Sequence, residues 1–262
     1  MKRATGIVMV CVLLGQLVLI VGCSKRKAPQ EKEEPAAEKV VPVPMKKDKT
    51  GEPAVEKVGS EEEAYKKAVK AYENKDFNSA INNFTKAIEL DPKRVAAYNN
   101  RGTAYQELNK YAEAIADFTK AIGLNPKDAN TYNNRGLAYF NLNKYPQAIA
   151  DFTKGIELDP KYASAYNNRG YAYHQLNKYA EAIADYTKAM GLNPKYLINY
   201  NNRGNAYLNL KMYAEAVADY DKGIELEPMN ADAYYNRGLA YKALGKTKEA
   251  NADFAKAKAL GK

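Results

Sequence analysis

The sequence predicts an all-α fold for residues 61–262, a superhelical solenoid of antiparallel helix pairs, and three observations lead to this prediction. Proline recurs every 34 residues, and an Arg-Gly pair recurs at the same interval. When the chain is aligned on this period, one column holds alanine in all six units. A long, fixed period is typical of units that cannot bury an apolar face alone and therefore stack on their neighbours.

The chain begins with a segment typical of a secretory signal. Two of its first three residues are basic, and a largely apolar run follows as far as Gly22. The run ends in Ile20-Val21-Gly22-Cys23, which resembles the lipobox of bacterial lipoproteins, although that family prefers Leu where Ile20 stands. The resemblance implies that residues 1–22 are removed and that Cys23 carries the lipid, palmitate included. An uncleaved anchor is the alternative, because about 20 apolar residues can span a bilayer.

Residues 23–60 form the predicted lipidated cysteine and its tether. From Ser24 onward, Lys, Glu, Pro and Ala alternate without an aromatic residue or an amphipathic period, so this segment lacks the apolar surface needed to fold by itself. In the lipoprotein sorting rule of enteric bacteria, Asp after the lipid cysteine retains the protein at the inner membrane. Because Ser24 stands there, the outer membrane is favoured, with the chain facing the periplasm.

The repeated unit is defined by assigning the five recurring prolines, Pro92 to Pro228, to position 32. Positions 4 and 8 are then Tyr and Gly in units two to six, position 20 is Ala in every unit, and position 24 is always Phe or Tyr. This pattern closely resembles the tetratricopeptide repeat. The six units, called repeats 1 to 6 below, are 61–94, 95–128, 129–162, 163–196, 197–230 and 231–262.

Two amphipathic helices account for each repeat. At about 100° per residue, positions 4, 7, 8, 11 and 14 share one face of a first helix, and positions 20, 21, 24, 27 and 28 share one face of a second. Small residues at positions 8 and 20 allow the helices to approach closely, and aromatic rings at 4, 11, 17 and 24 fill the space around them. The family resemblance implies that such pairs form a right-handed superhelix.

Two further patterns concern contacts between helices. Positions 21 and 28 are apolar in repeats 1 to 5 but are Asn251 and Lys258 in repeat 6, so we expect the array to end there. Position 7 is Arg and position 23 is Asp in repeats 2 to 6, whereas repeat 1 has Lys67 and Asn83. Because both residues change together, we predict a recurring Arg–Asp ion pair. Two independent solvated charges are the alternative.

The opposite face of each first helix, positions 2, 5, 6, 9, 12 and 13, lines a concave groove in proteins of the family that this chain resembles. Positions 5 and 6 form two columns of asparagine, and an amide side chain can both donate to and accept from a peptide backbone. Similar asparagine ladders bind extended polypeptides in other members of the family. Hydrogen bonds that brace neighbouring repeats are the alternative. The predicted ladder residues are Asn99, Asn100, Asn133, Asn134, Asn167, Asn168, Asn201 and Asn202.

The variable groove positions 9 and 12 are expected to set selectivity. Phe140, Tyr171, His174 and Leu208 make the centre of the groove aromatic and apolar, and we predict pockets there for side chains of a bound segment. Family members that bind a carboxylate use several Lys or Arg at positions 2, 5, 6 and 9, where this chain has Asn or apolar residues. Recognition of a partner's C-terminal carboxylate is therefore not supported.

The amino-acid composition argues against an enzymatic function. One His, two Cys and no Trp leave little material for a zinc cluster or a disulfide framework, and His174 shares its groove row with no nucleophile. We therefore expect no catalytic residues, no metal and no cofactor. The net charge of +9 is spread along the chain, which is not typical of a nucleic-acid binder, and most of the 22 tyrosines occupy predicted core positions.

The predicted function is that of a lipid-anchored periplasmic scaffold which binds an extended segment of a partner protein in the cell envelope and aids assembly of an envelope complex. This layout resembles the pilotins that serve type IV pilus secretins, and also the repeat lipoproteins that recruit cell-wall enzymes. The sequence does not choose between these roles. Two alternatives remain: a self-associating structural protein of the envelope, and a carbohydrate- or peptidoglycan-binding module.

Overall fold

The computed structural model describes residues 54–194 and 197–262, and every regular element in these ranges is an α-helix. None of the helices in the described ranges has the length and apolar character needed to cross a membrane. The helices are α1 (Ala54–Glu73), α2 (Phe77–Leu90), α3 (Val95–Glu107), α4 (Tyr111–Leu124), α5 (Ala129–Asn141), α6 (Tyr145–Leu158), α7 (Ala163–Gln175), α8 (Tyr179–Leu192), α9 (Leu197–Asn209), α10 (Tyr213–Leu226), α11 (Ala231–Ala243) and α12 (Thr247–Ala259).

Each helix packs against the next one along the chain, so odd-numbered helices are the first and even-numbered helices the second of each pair. The first helices of neighbouring repeats also contact one another, from α1 and α3 through to α9 and α11. The first helices therefore form a continuous inner layer and the second helices an outer one. The predicted all-α solenoid of helix pairs is confirmed.

The glycine at position 8 sets how closely the two helices of a repeat approach. A Cβ added to Gly102 would lie 2.8 Å from Cε1 of Phe118, and one added to Gly136 would lie 2.6 Å from Cε1 of Phe152. Contacts this short do not occur between a real Cβ and a ring. The aromatic ring at position 24 thus lies directly on the backbone of the first helix. In repeats 2 and 3 this ring belongs to Phe118 and Phe152, and both residues are fully buried.

The turn within each helix pair places position 15 in the left-handed region of the backbone. Asn109, Asn143 and Asn177 have φ between 57° and 58°, and Gly245 has φ 75° at the same position of repeat 6. Asparagine and glycine tolerate this conformation better than other residues. The Asn109 side chain also accepts a hydrogen bond from the Tyr111 hydroxyl at 2.6 Å. The left-handed turn recurs in every repeat, and Lys75 and Lys211 adopt it in repeats 1 and 5 with φ 60° and 62°.

The predicted Arg–Asp ion pair is confirmed in repeats 2 to 6. In repeat 3, Nε and Nη2 of Arg135 donate to the two carboxylate oxygens of Asp151, each at 2.7 Å, and this hydrogen bonding raises the pKa of Arg135. Nη1 of Arg135 reaches back to Thr119 of the preceding repeat at 3.1 Å. Each arginine thus joins the two helices of its own repeat and ties that repeat to the one before it. The five pairs are Arg101–Asp117, Arg135–Asp151, Arg169–Asp185, Arg203–Asp219 and Arg237–Asp253.

The tyrosines divide between two environments. Those at position 24, Tyr186 and Tyr220, are fully buried, as predicted for the core. Those at positions 4 and 11 are mostly half-buried and flank the arginine of their repeat: in repeat 3 the guanidinium carbon lies 5.7 Å from the Tyr132 ring centroid and 6.0 Å from that of Tyr139. These rings pack on the arginine at the edge of the helix pair, and Tyr105, Tyr139 and Tyr207 at position 11 also pack against buried core residues, as predicted.

Both ends of the stack are polar. Asn251 and Lys258 are exposed at the C-terminal end, as expected. Exposed polar residues also stand at the N-terminal end. Positions 3 and 10 of a first helix face the preceding repeat, because Ala97 clusters with Ala87 and Ala104 clusters with Ile81. In α1 these two positions are Glu63 and Lys70, which are exposed and polar, as are Asn251 and Lys258 at the other end of the described stack.

A double-mutant cycle tests the energetic coupling of the ion pair. Arg135→Ala and Asp151→Ala should each lower the free energy of unfolding, because each leaves a largely buried charge without its partner. Together they should cost less than the sum of the two, with a coupling energy of about 0.5–3 kcal/mol. Denaturant unfolding followed by circular dichroism measures all four proteins. Arg135→Ala combined with Asp219→Ala, from another repeat, is the additive control. Additivity within the Arg135–Asp151 pair would contradict the coupling.

Candidate functional site

The candidate site is the inner groove, which we define as positions 2, 5, 6, 9, 12 and 13 of the six first helices. These positions lie on one face of each first helix, and the contacts between successive first helices make the surface continuous. All eight predicted ladder asparagines and the four predicted pocket residues lie on α3, α5, α7 and α9. The predicted lipidation residue, Cys23, lies outside the described residues.

Some ladder asparagines brace neighbouring repeats. Nδ2 of Asn100 donates to the Tyr65 hydroxyl at 2.8 Å, and Nδ2 of Asn168 donates to Oδ1 of Asn133 at 3.0 Å. In both cases position 6 of one repeat reaches position 5 of the repeat before it. Asn133 is only 5% exposed, so its side chain belongs to the joint between repeats 3 and 4. Asn99 is similarly engaged, since its Oδ1 accepts from the Thr131 hydroxyl at 2.9 Å.

Other groove amides keep free hydrogen-bonding capacity. Asn134 and Asn202 are half-exposed, and their side chains make no hydrogen bond to any described part of the chain. Both occupy position 6, in repeats 3 and 5. Each therefore offers two N–H donors and one carbonyl acceptor to a molecule lying in the groove.

Repeats 4 and 5 also hold amide atoms that are buried without a partner. Oδ1 of Asn167, Oδ1 of Asn201 and both polar side-chain atoms of Asn199 are in this state. The Asn201 oxygen lies in a notch on α10, only 2.5 Å from the place where a Cβ on Gly223 would be. An unbonded buried carbonyl costs about 1–3 kcal/mol of free energy. A rotation that lets the Asn201 amide oxygen accept a hydrogen bond would therefore be favourable.

The four predicted pocket residues lie in three successive repeats, and three of them, Phe140, Tyr171 and His174, make aromatic contacts. The Phe140 and Tyr171 rings stack with centroids 5.1 Å apart and an interplanar angle of 26°. The His174 ring meets Tyr179 edge-on at 5.1 Å, and its Nε2 lies 3.3 Å from Nδ2 of Asn209. Each of the four is half-buried, so part of its apolar surface faces the groove.

The state of His174 follows from its surroundings. Burial lowers the pKa of its imidazole below the ordinary value, and the Asn209 amide is placed to donate to Nε2. An acceptor nitrogen belongs to the neutral ring, so the histidine is uncharged near pH 7. Among the described residues, no group of three or more His, Cys, Asp or Glu is arranged to hold a metal ion.

Charged groups of the groove lie at its ends. Glu61 and Glu62 of repeat 1 both accept from Nη1 of Arg94, at 2.7 and 2.8 Å. Asp232 and Lys242, both exposed, stand in repeat 6.

The sequence pattern identified the groove columns but did not show which asparagine amides bond to other parts of the chain. The reason is that the hydrogen bonds from position 6 to position 5 join residues 35 apart.

Family models match most of the repeat region. A model described as "Tetratricopeptide repeat" matches residues 95–128, 129–162 and 163–196. A second, described as "TPR repeat", matches residues 71–109 and 210–245. Another model with the description "Tetratricopeptide repeat" matches residues 231–260.

Individual proteins are similar over parts of the chain. "Stress-induced-phosphoprotein 1" of Caenorhabditis elegans is 49% identical over 43 residues, which are 16% of this chain and only 13% of that protein's length. The solved structure titled "YrrB: a TPR protein with an unusual peptide-binding site" is 25% identical with a TM-score of 0.61, covering 68% of this chain and 92% of that one. PilW, titled a "type IV pilus biogenesis factor", has 22% identity and a TM-score of 0.67, covering 76% of this chain and 92% of its own, which shows a shared fold.

Gly223→Ala tests whether the notch on α10 holds the Asn201 amide. The added methyl group would occupy the place of the Asn201 oxygen and should turn the amide into the groove. The NMR resonances of the Asn201 side-chain NH2 should then shift, because the amide changes orientation and its oxygen becomes solvated. Gly155→Ala is the matched control, because its methyl group would meet the Ala129 carbonyl instead of an amide side chain. Asn201 resonances that shift equally in both variants would contradict this role of Gly223.

Proposed function

Because the chain belongs to the tetratricopeptide repeat family, we propose that it is a protein-interaction scaffold that binds an extended segment of a partner protein in the inner groove. The observation that carries this proposal is the combination of free amides and half-exposed rings on one continuous surface. Asn134 and Asn202 can pair with a peptide backbone, while the stack of Phe140 and Tyr171 offers contact to its side chains. Binding is the output of such a surface.

Two findings support the protein-binding role. The tetratricopeptide fold is typical of interaction proteins that have no catalytic activity of their own. The structure of YrrB, similar over 68% of this chain, bears a title that names a peptide-binding site. Self-association through the ends of the stack is disfavoured, since Glu63 and Lys70 at one end and Asn251 and Lys258 at the other are exposed polar residues.

A lipid anchor at Cys23 would hold this scaffold at a membrane. The support is in the sequence: the lipobox-like Ile20-Val21-Gly22-Cys23 follows a basic start and an apolar run. Several acyl chains, each contributing about 0.8 kcal/mol per buried methylene, suffice for stable anchoring. The groove would then act in the periplasm, at the outer membrane since Ser24 follows the cysteine, and would help assemble an envelope complex.

Partner capture tests the groove. The full chain, carrying a crosslinker, is recovered from detergent-solubilised envelope, and the captured proteins are compared with those of the Asn134→Ala/Asn202→Ala variant. Loss of two backbone contacts should reduce recovery of a specific partner by about tenfold or more. Asn82→Ala/Asn251→Ala, which removes two exposed amides outside the groove, is the matched control and should capture normally. A partner captured equally by the groove variant would place binding elsewhere.

Metabolic labelling tests the anchor. The native chain should incorporate labelled palmitate and fractionate with the outer membrane, whereas Cys23→Ser should lose the label. Cys11→Ser is the matched control and should retain the label, because Cys11 lies in the segment expected to be removed. Label that survives in the Cys23→Ser variant would contradict lipidation at this residue.

A further inference from the structure

We infer that the partner segment is uncharged where it crosses repeats 3 to 5 and presents an aromatic or aliphatic side chain to the middle of the groove. This inference rests on the proposed function and names the chemical class of the partner. It follows from the charge distribution of the groove, the state of its histidine, its exposed rings and its unused amide atoms.

The middle of the groove contains no charged residue type. The whole chain is 27% Asp, Glu, Lys and Arg, yet the eighteen groove positions of repeats 3 to 5 include none of them. Repeats 1, 2 and 6 do have charged groove residues, among them Lys66, Glu107 and Lys242. The eighteen positions hold Asn130, Asn133, Asn134, Leu137, Phe140, Asn141, Ser164, Asn167, Asn168, Tyr171, His174, Gln175, Ile198, Asn201, Asn202, Asn205, Leu208 and Asn209.

His174 has the ordinary pKa closest to neutral among these positions, and it adds no charge to the middle of the groove. His174 is half-buried, its pKa is lowered by that burial, and the Asn209 amide lies 3.3 Å from Nε2. A partner carboxylate or ammonium that entered this part of the groove would lose water without gaining a counter-ion. Desolvating a charge without a partner is strongly unfavourable. The groove therefore discriminates against charged side chains as well as accepting uncharged ones.

The apolar surface at the centre of the groove indicates which side chains of a partner it can bind. Phe140 and Tyr171 are stacked and half-buried, and Leu137 and Leu208 are half-buried in the flanking repeats. Aliphatic or aromatic groups of a partner would remove these exposed faces from water, which is favourable and needs no charge. An aromatic side chain can also extend the existing stack.

The unused amide atoms call for a polypeptide backbone along the same stretch. Asn134 and Asn202 are half-exposed, and their side-chain amides are free to donate to and accept from a peptide backbone. Because neighbouring first helices touch, their axes lie about 8–10 Å apart, and about three residues of an extended chain at ~3.3 Å per residue cover one such step. Repeats 3 to 5 thus correspond to a window of roughly six residues in the bound segment.

Selection from random peptides tests the inference. The full chain in detergent is presented to a phage-displayed library of random peptides about twelve residues long, and binders are sorted by their loss of binding to the Asn134→Ala/Asn202→Ala variant. Groove-dependent binders should share a window of about six residues that lacks Asp, Glu, Lys and Arg and contains an aromatic or aliphatic residue. Their dissociation constants should change less than about twofold between low and high salt, because no charge pair is screened.

A charge introduced into the groove should reverse the selection. Leu208→Lys places an ammonium group in the middle of the groove and should weaken the uncharged binders by about tenfold or more while enriching peptides with Asp or Glu in the window. Ala184→Lys is the matched control, since it adds the same charge at an exposed position of α8 outside the groove. This control should leave the selected peptides unchanged.

The outcomes separate the two proposals. Groove-dependent binders with charged residues throughout the window, or with strongly salt-dependent affinity, would overturn this inference and leave the proposed function intact. A library that yields no binder sensitive to Asn134→Ala/Asn202→Ala would overturn the proposed function and this inference together. Binding of a soluble peptidoglycan fragment in place of every peptide would overturn both in favour of a carbohydrate ligand.

Discussion

The contact between an aromatic ring and a glycine backbone is the constraint on which the rest of the solenoid depends. With a Cβ at Gly136 only 2.6 Å from the Phe152 ring, any other residue at that position would push the two helices apart. The same contact recurs at Gly102, Gly170 and Gly204. Because repeats 2 to 6 share this contact, the distance set within one helix pair fixes where the next first helix can lie, whereas repeat 1 packs Ala68 beside Phe84.

Cohesion between repeats has two sources. The arginine at position 7 bonds an aspartate of its own repeat and, in repeat 3, reaches Thr119 of the repeat before it, at the edge of the helix pairs. Asparagines of the groove also brace neighbouring repeats, as Asn168 does by donating to Asn133. Position 9 of the groove nevertheless varies, from Leu137 to Tyr171 and Asn205.

Features that recur in every repeat could be predicted from the sequence, and features that join different columns could not. The Arg135–Asp151 pair was predictable because both residues are replaced together in repeat 1. The brace from Asn168 to Asn133 was not, because it depends on how far one first helix is shifted along the next. The same holds for the Asn201 amide, whose position in the α10 notch follows from Gly223 standing where repeats 1, 2, 4 and 6 have Ala.

A residue that differs from the others in its column is a candidate for a specific function. A residue that recurs in the column is already explained by a structural role that the repeats share. Asn199 stands at position 3, which is Ala or Thr in repeats 2, 3, 4 and 6, and its fully buried amide has no partner in the described chain. Such burial lowers stability without serving the stack. Its neighbours in sequence, Asn201 and Asn202, face the groove, and Asn201 also has an unbonded oxygen. A ligand in the groove can reach the half-exposed amides of Asn134 and Asn202, whereas the Asn199 amide is buried at position 3 against repeat 4.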